Sequence, residues 1–274
     1  MLIVVFSAYI SMKIVVFDLD ETLGYFTQFG IFWDSLVKYC KHKNKQPINN
    51  ECFNEILDLY PEFLRPNIIN ILNYLKGKKK SKCCHKMMIY TNNNGQNKWA
   101  EQLINYFEDK INYKLINQII TAFKINGKRI EMCRTTHQKT HDDLLRCTKI
   151  PQNADICFLD DAPHPKMVHE RVYYINVKPY YCDLMFGEMV ERFSHSDVGR
   201  YIIKDDEIKE FNETILKNIK LYNYVCKSKT CEDCERDENV GEEIIPHLRY
   251  FFGIKRYETR RMTRSHTKNK TRKR

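Results

Sequence analysis

A chain of 274 residues with 43% hydrophobic content has room for one substantial domain plus appendages and enough apolar residues for a real core. No apolar run approaches the roughly 20 residues that a membrane span requires, so a membrane partner is not expected. The net charge of +10 is concentrated at one end: residues 255–274 hold ten Lys or Arg against one Glu, a net of +9, which leaves about +1 for residues 1–254. The basic character therefore belongs to a tail and not to a face of the body.

The opening Met1-Leu2-Ile3-Val4-Val5-Phe6 is apolar but has no basic residues before it, which argues against a cleaved signal. Residues 1–11 read either as a start extension or as an extra strand. Residues 13–18 form a buried strand ending in Asp18 and followed by Leu19-Asp20-Glu21-Thr22-Leu23. Segments 31–42 and 50–60 have helical apolar spacing and are separated by a polar loop containing Pro47. Leu64-Arg65-Pro66-Asn67 opens a further helix with Ile68, Ile69, Leu72 and Leu75 on its apolar face, and Lys76 to Lys82 reads as a basic loop.

Met87-Met88-Ile89-Tyr90 is a second buried strand, ending at Thr91-Asn92-Asn93-Asn94-Gly95. A helix with Trp99, Leu103, Ile104 and Phe107 follows, with Trp99 expected in the core. Segments 119–125 and 128–132 flank Asn126-Gly127, a strong hairpin signal. Lys139 precedes a short helix with Leu144 and Leu145. A third strand, residues 155–159, ends in Asp160-Asp161, and residues 172–177 form a fourth. Segments 184–193 and 204–221 look helical. A cysteine-containing loop, an apolar patch (Tyr250, Phe251, Phe252) and the basic tail complete the chain. Strands alternating with helices predict an α/β fold with a parallel sheet. In such sheets, ligands bind beyond the carboxyl ends of the strands, where Asp18, Thr91 and Asp160 fall.

Acids at the tip of a buried strand need a metal, a proton or a reaction to account for them. Asp18 can serve as nucleophile or metal ligand, and Asp20 can swing back toward the same point. Thr91 offers a hydroxyl, with backbone N–H groups nearby, to an anion. Lys139 supplies a cation, preferred over its rivals Lys124 and Lys128 because it precedes a helix just upstream of the Asp160 strand. Asp160 and Asp161 are hard oxygen ligands suited to Mg²⁺. The set fits phosphoryl transfer: a carboxylate attacks phosphorus, cations neutralise the oxygens, and a second acid moves the proton.

In order and residue type these motifs resemble the haloacid dehalogenase superfamily of aspartate-nucleophile phosphatases. Asp18-Leu19-Asp20-Glu21-Thr22-Leu23 is similar to the first motif, Thr91 to the second, Lys139 to the third and Asp160-Asp161 to the fourth. The Asp-x-Asp-x-Thr form, the Arg65-Pro66 pair and the hairpin at Asn126-Gly127 resemble the CTD phosphatase and NLI-interacting-factor-like branch. The resemblance covers roughly residues 12–180. It implies a Rossmann-like core, Asp18 as nucleophile, Asp20 as general acid/base and Lys139 as the catalytic cation. It further implies phosphate binding by Thr22, Thr91, Asn92 and Lys139, and Mg²⁺ held by Asp18, the Asp20 carbonyl, Asp160 and Asp161. A phosphorylated serine or threonine in a protein is the implied substrate, with a nucleotide or nucleic-acid-end phosphatase, or a non-catalytic binding protein, as the rivals. Three departures stand out. The fourth motif has Asp160-Asp161 where the branch often has Asp-Asn. Residues 24–64 are longer than the branch minimum and read as a small helical insert. Residues 183–253, a mostly helical extension, resemble nothing in the branch.

Eleven cysteines, odd in number and scattered, read as reduced thiols in an intracellular protein, cytoplasmic or nuclear. Cys226, Cys231 and Cys234 would need a fourth ligand for zinc. His247 is a distant candidate, and a solvated loop is the favoured reading. His164 and His169 read as surface residues, with contact to the substrate the alternative for His164. Residues 254–274 read as a disordered tail, with nucleic-acid binding the minority alternative.

Overall fold

In the computed structural model, which describes residues 11–45, 48–93 and 99–254, the chain is an α/β protein built on a five-stranded parallel sheet. The strands in chain order are β1 (Lys13–Phe17), β2 (Lys86–Tyr90), β3 (Gln118–Ile120), β4 (Lys124–Ile125), β5 (Lys128–Arg129), β6 (Asp155–Asp160) and β7 (Val172–Asn176). The sheet order is β3-β2-β1-β6-β7, so the chain winds outward from β1 on one side, then returns to build the other. That reversal leaves the crevice where open α/β sheets bind ligands, beyond the ends of β1 and its neighbours. Phe17 pairs with Ile89 on one side and Leu159 on the other. One residue further, Asp18 and Asp160 emerge together.

The sheet is buried on both faces, as parallel sheets are. Val15, Phe17 and Leu19 point into a large cluster, and Ile14 and Val16 into a smaller one with Met88, Phe158, Leu144 and Met167. The helices are α1 (Thr27–His42), α2 (Asn50–Asp58), α3 (Ile68–Lys80), α4 (Trp99–Lys110), α5 (His141–Thr148), α6 (Phe186–Ser194), α7 (Asp197–Ile202), α8 (Ile208–Lys220) and α9 (Cys231–Arg249). Trp99 is a core residue, as expected. Its ring lies 6.0 Å from Phe29 and 5.6 Å from Phe53. The insert and the extension meet through aromatic rings: Phe32 on Phe193 at 5.6 Å, and Tyr39 on Phe211 at 4.9 Å. Phe193, Phe211, Ile244 and Leu248 belong to the same cluster as Val15 and Phe17, so residues 183–254 extend the core and do not form a second one.

Several expectations change. Lys76 to Lys80 is not loop but the last turn of α3; Lys76 and Lys79 donate to the carbonyls of Ile111 and Leu115, and cations suit a helix C-terminus. The hairpin forms, with Asn126 (φ 49°) and Gly127 (φ 77°) both left-handed, but it is only two residues deep on each side. Ile119 and Ile120 join the main sheet as a fifth strand instead. The segment from Cys231 is not a loop: α9 is capped by Thr230, whose hydroxyl accepts from Asp233 N–H while Asp233 accepts from Thr230 N–H. Nor are all cysteines free. Cys133 and Cys147 form a disulfide, because the chain after β5 returns alongside α5 and brings their Cα atoms to 5.0 Å. The other nine thiols are unbonded. No helix among the described residues is long and apolar enough to cross a membrane. Residues 1–10, Pro47, Asn94-Gly95 and the basic tail lie outside the described residues.

Candidate active site

Lys139 sits at the centre of the polar strand ends. Its Nζ donates to Asp18 Oδ1 at 2.5 Å and to Asp160 Oδ2 at 2.6 Å, and the residue is 2% exposed. The neighbouring Thr140 fixes its position: it N-caps α5 by accepting from Asp143 N–H at 3.0 Å. Lys124 and Lys128, the rivals, lie in the hairpin and do not reach this cluster. Asp18, Asp160 and Asp161 each offer an oxygen within 4.8 Å of the others, the one such group of three or more metal-ligating side chains among the described residues.

Burial is the main force on these acids. It raises the Asp18 carboxyl to about 7 against the opposing pull of Lys139, and it also raises Asp20 and Asp161. Asp160 is fully buried too, yet its acidity moves the other way: His164 and Lys139 together outweigh desolvation and hold it low. Asp18, Asp160 and Asp161 thus converge, with Lys139 bonded to the first two. Closely spaced hard oxygens with negative charge in excess are the donor set that Mg²⁺ takes.

The remaining expected residues are placed as follows. Asp20 lies outside the three-acid group, and its Oδ2 accepts from Asn93 Nδ2 at 2.6 Å. Thr22, expected at the phosphate, uses its hydroxyl on Asp161 instead: it donates to Oδ1 at 3.0 Å and accepts from Asp161 N–H at 3.2 Å. Thr22 is therefore a strut between the first and fourth motifs. Thr91 N–H is taken by Ile120 O, and Thr91 Oγ1 accepts from Asn93 N–H, which leaves the Thr91 hydroxyl proton to donate. Asn92 Oδ1 accepts from Arg134 at 2.7 Å, so its amide nitrogen stays available to an anion.

Two buried arginines hold these loops and a buried histidine lies beside Asp160, and the sequence reading gave the arginines no such role. Arg65 is 1% exposed and donates to the carbonyls of Thr22, Glu21 and Lys178, clamping the turn after β1. Burial lowers its guanidinium to about 10. Gly24 completes this turn; a Cβ there would stand 2.5 Å from the Phe63 carbonyl oxygen. Arg134, fully buried, donates to the carbonyls of Thr91, Thr121 and His137 as well as to Asn92. His164 is not a surface residue: it is 9% exposed, with Nε2 3.4 Å from Asp160 Oδ1. His169 is exposed as expected. A lone Arg in a Lys-rich chain carries no sequence mark that separates a buried strut from a solvated cation, although the Arg65-Pro66 pair was a partial signal.

The zinc candidates are not brought together. Cys226 Sγ lies against Gln28 and the Leu184 carbonyl. Cys231 and Cys234 open α9, and His247, about 24 Å further along at 1.5 Å per residue, pairs with the Tyr173 hydroxyl.

A cleft of about 630 Å³ opens from Asp20 and Asn93 between α1 and α4. Phe26, Ile31, Trp33 and Trp99 line it, with Asp34 and Lys38 at its far end. Lys38, the cation of its lining among the described residues, is paired to Asp34 at 2.6 Å. No protein-family model matches the chain, and neither the curated proteins nor the solved structures compared with it give a match.

Proposed function

We propose that the chain is a Mg²⁺-dependent phosphatase that works through an aspartyl-phosphate on Asp18. The observation that carries this reading is Lys139 bridging Asp18 and Asp160 beside Asp161, at the carboxyl ends of adjacent strands. An ordinary structural lysine does not need two buried carboxylates, and buried ion pairs are weak sources of stability. Asp18 attacks phosphorus in line with the departing oxygen, forming an acyl phosphate. Asp20, raised by burial and oriented by Asn93, gives its proton to that oxygen and then takes one from the hydrolytic water. Lys139, the Thr91 hydroxyl and the Asn92 amide offset the charge of the phosphoryl oxygens. Asp18, Asp160 and Asp161, with the Asp20 carbonyl, would hold Mg²⁺, which neutralises charge on the non-bridging oxygens when bound.

The cleft supports a phosphoprotein over a nucleic acid as substrate. The leaving group lies on the side of the acid, Asp20, and so enters the cleft, whose walls mix Phe26, Ile31, Trp33 and Trp99 with Thr27, Asn93 and Gln102, a surface suited to a peptide. A polyanion would need unpaired cations there, whereas Lys38, the cation of the lining among the described residues, is already neutralised by Asp34. Phosphate release from a panel of phosphoserine and phosphothreonine peptides, nucleotides and 5′-phosphorylated oligonucleotides tests this. Release from peptides in Mg²⁺ but not in EDTA is expected. Preference for the nucleotides would reassign the substrate, and no release from any of them, or from an aryl phosphate, would favour a binding protein.

A further inference from the structure

Helix α9 carries five exposed glutamates, Glu232, Glu235, Glu238, Glu242 and Glu243, without an ion-pair partner among the described residues. The other acids of the helix are satisfied, Asp233 by Arg236 and Asp237 by Lys229 at 2.5 Å. Between α9 and the edge strand β7 runs a groove of about 430 Å³. Ile175, Val177 and Ile244 give it an apolar floor, and Glu232, Glu235 and Glu243 line its α9 side. Arg236 is bound to Asp233, which leaves Lys178 as the unpaired cation of the lining among the described residues. The helix is fixed in place: a Cβ on Gly241 would meet Pro66 O at 2.4 Å, and Asn67 Nδ2 donates to Gly241 O.

We propose that this groove is the docking site of the chain's own basic segment, residues 255–274, held in cis. The segment leaves the helical residues 250–254 less than two turns beyond His247, the last groove-lining residue of α9. From Glu232 to His247 the groove follows about 22 Å of helix, which about seven extended residues cover, and the segment has twenty. Its net charge of +9 complements the five unpaired glutamates, and Tyr257 and Met262 supply apolar side chains for the floor. Because the tether keeps the local concentration high, modest contacts suffice to keep the groove filled. The occupied groove adjoins Asn176, whose Nδ2 donates to the Asp160 and Asp161 carbonyls, so the docked segment lies against the support of the fourth motif.

Limited trypsin digestion of the full chain, followed by mass spectrometry at Arg260 and Arg261, tests the assignment. Cleavage there is expected to be about tenfold slower in low salt than in 0.5 M NaCl, where screening releases the segment. The same acceleration is expected in low salt for Glu235→Lys/Glu243→Lys, and in smaller measure for the milder Glu235→Gln/Glu243→Gln, with circular dichroism showing both folded. Equal cleavage rates in wild type, high salt and both variants would overturn the proposal. So would protection that grows with protein concentration, since a second copy would then supply the segment.

Discussion

At the residue scale the site depends on how one cation is divided among several acids. Lys139 binds Asp18 and Asp160, and burial leaves Asp18 protonated well above the ordinary range, at about 7. An acid raised in the folded state contributes stability that is complete below its unfolded value, near 3.8, and is lost as pH climbs through 7. Asp20 and Asp161 act in the same direction, and lowered Asp160 acts oppositely, only in the acid range below 3.8. The Mg²⁺-free protein should therefore lose thermal stability between about pH 4 and 7, and added Mg²⁺ should restore more of it at pH 7 than at pH 5. A melting temperature flat across that window, or an equal Mg²⁺ effect at both ends, would contradict the shared-acid picture. Asp20→Asn should slow turnover of an alkyl phosphate about 100-fold, and that of an activated aryl phosphate much less, because only the poor leaving group needs the proton. Equal losses on both would remove Asp20 as the acid. Asp18 and Asp160 were legible in the sequence because each ends an apolar run, and Lys139 because it precedes a helix just upstream of the Asp160 strand. The strut role of Thr22 was not, since a hydroxyl near a motif looks the same whether it binds phosphate or a neighbouring carboxylate.

At the element scale the turn after β1 is positioned by a side chain 43 residues away. Arg65→Ala would leave the carbonyls of Glu21, Thr22 and Lys178 without their buried donor, at a cost of about 2–4 kcal/mol. Urea unfolding measures this; a loss below about 0.5 kcal/mol would mean that the turn holds itself. Strands β1, β2, β6 and β7 and most of α1 to α5 were readable because their apolar periods were uninterrupted. Helix α9 was missed for the opposite reason: its exposed face is a run of acids, it contains Pro246, and its apolar stripe is sparse. The Thr230-to-Asp233 capping box was the available signal. β3 was read into the hairpin because Ile119 and Ile120 suit either pairing, and only the free edge of β2 decides between them.

At the scale of the whole molecule, the extension and the sheet share one hydrophobic cluster, which the sequence did not reveal because ring contacts such as Phe32 on Phe193 join separate periodic segments. Phe211→Ala, at a fully buried position, should cost about 3–5 kcal/mol and lower a single unfolding transition. Two separated transitions, with only the first shifted, would show that the helices after residue 183 unfold on their own. The fold thus joins an insert, a sheet and an extension in one hydrophobic core beneath the acids at the sheet end, and the account stands on what Asp18 does there. Its most direct test is to trap the protein during turnover of an aryl phosphate in Mg²⁺, reduce it with borohydride, and map the modified residue by mass spectrometry. The account predicts conversion of Asp18 to homoserine in the wild type, with no trapped species and at least about 1000-fold slower turnover in Asp18→Asn. Turnover without modification at Asp18, or an Asp18→Asn protein of undiminished rate, would contradict it.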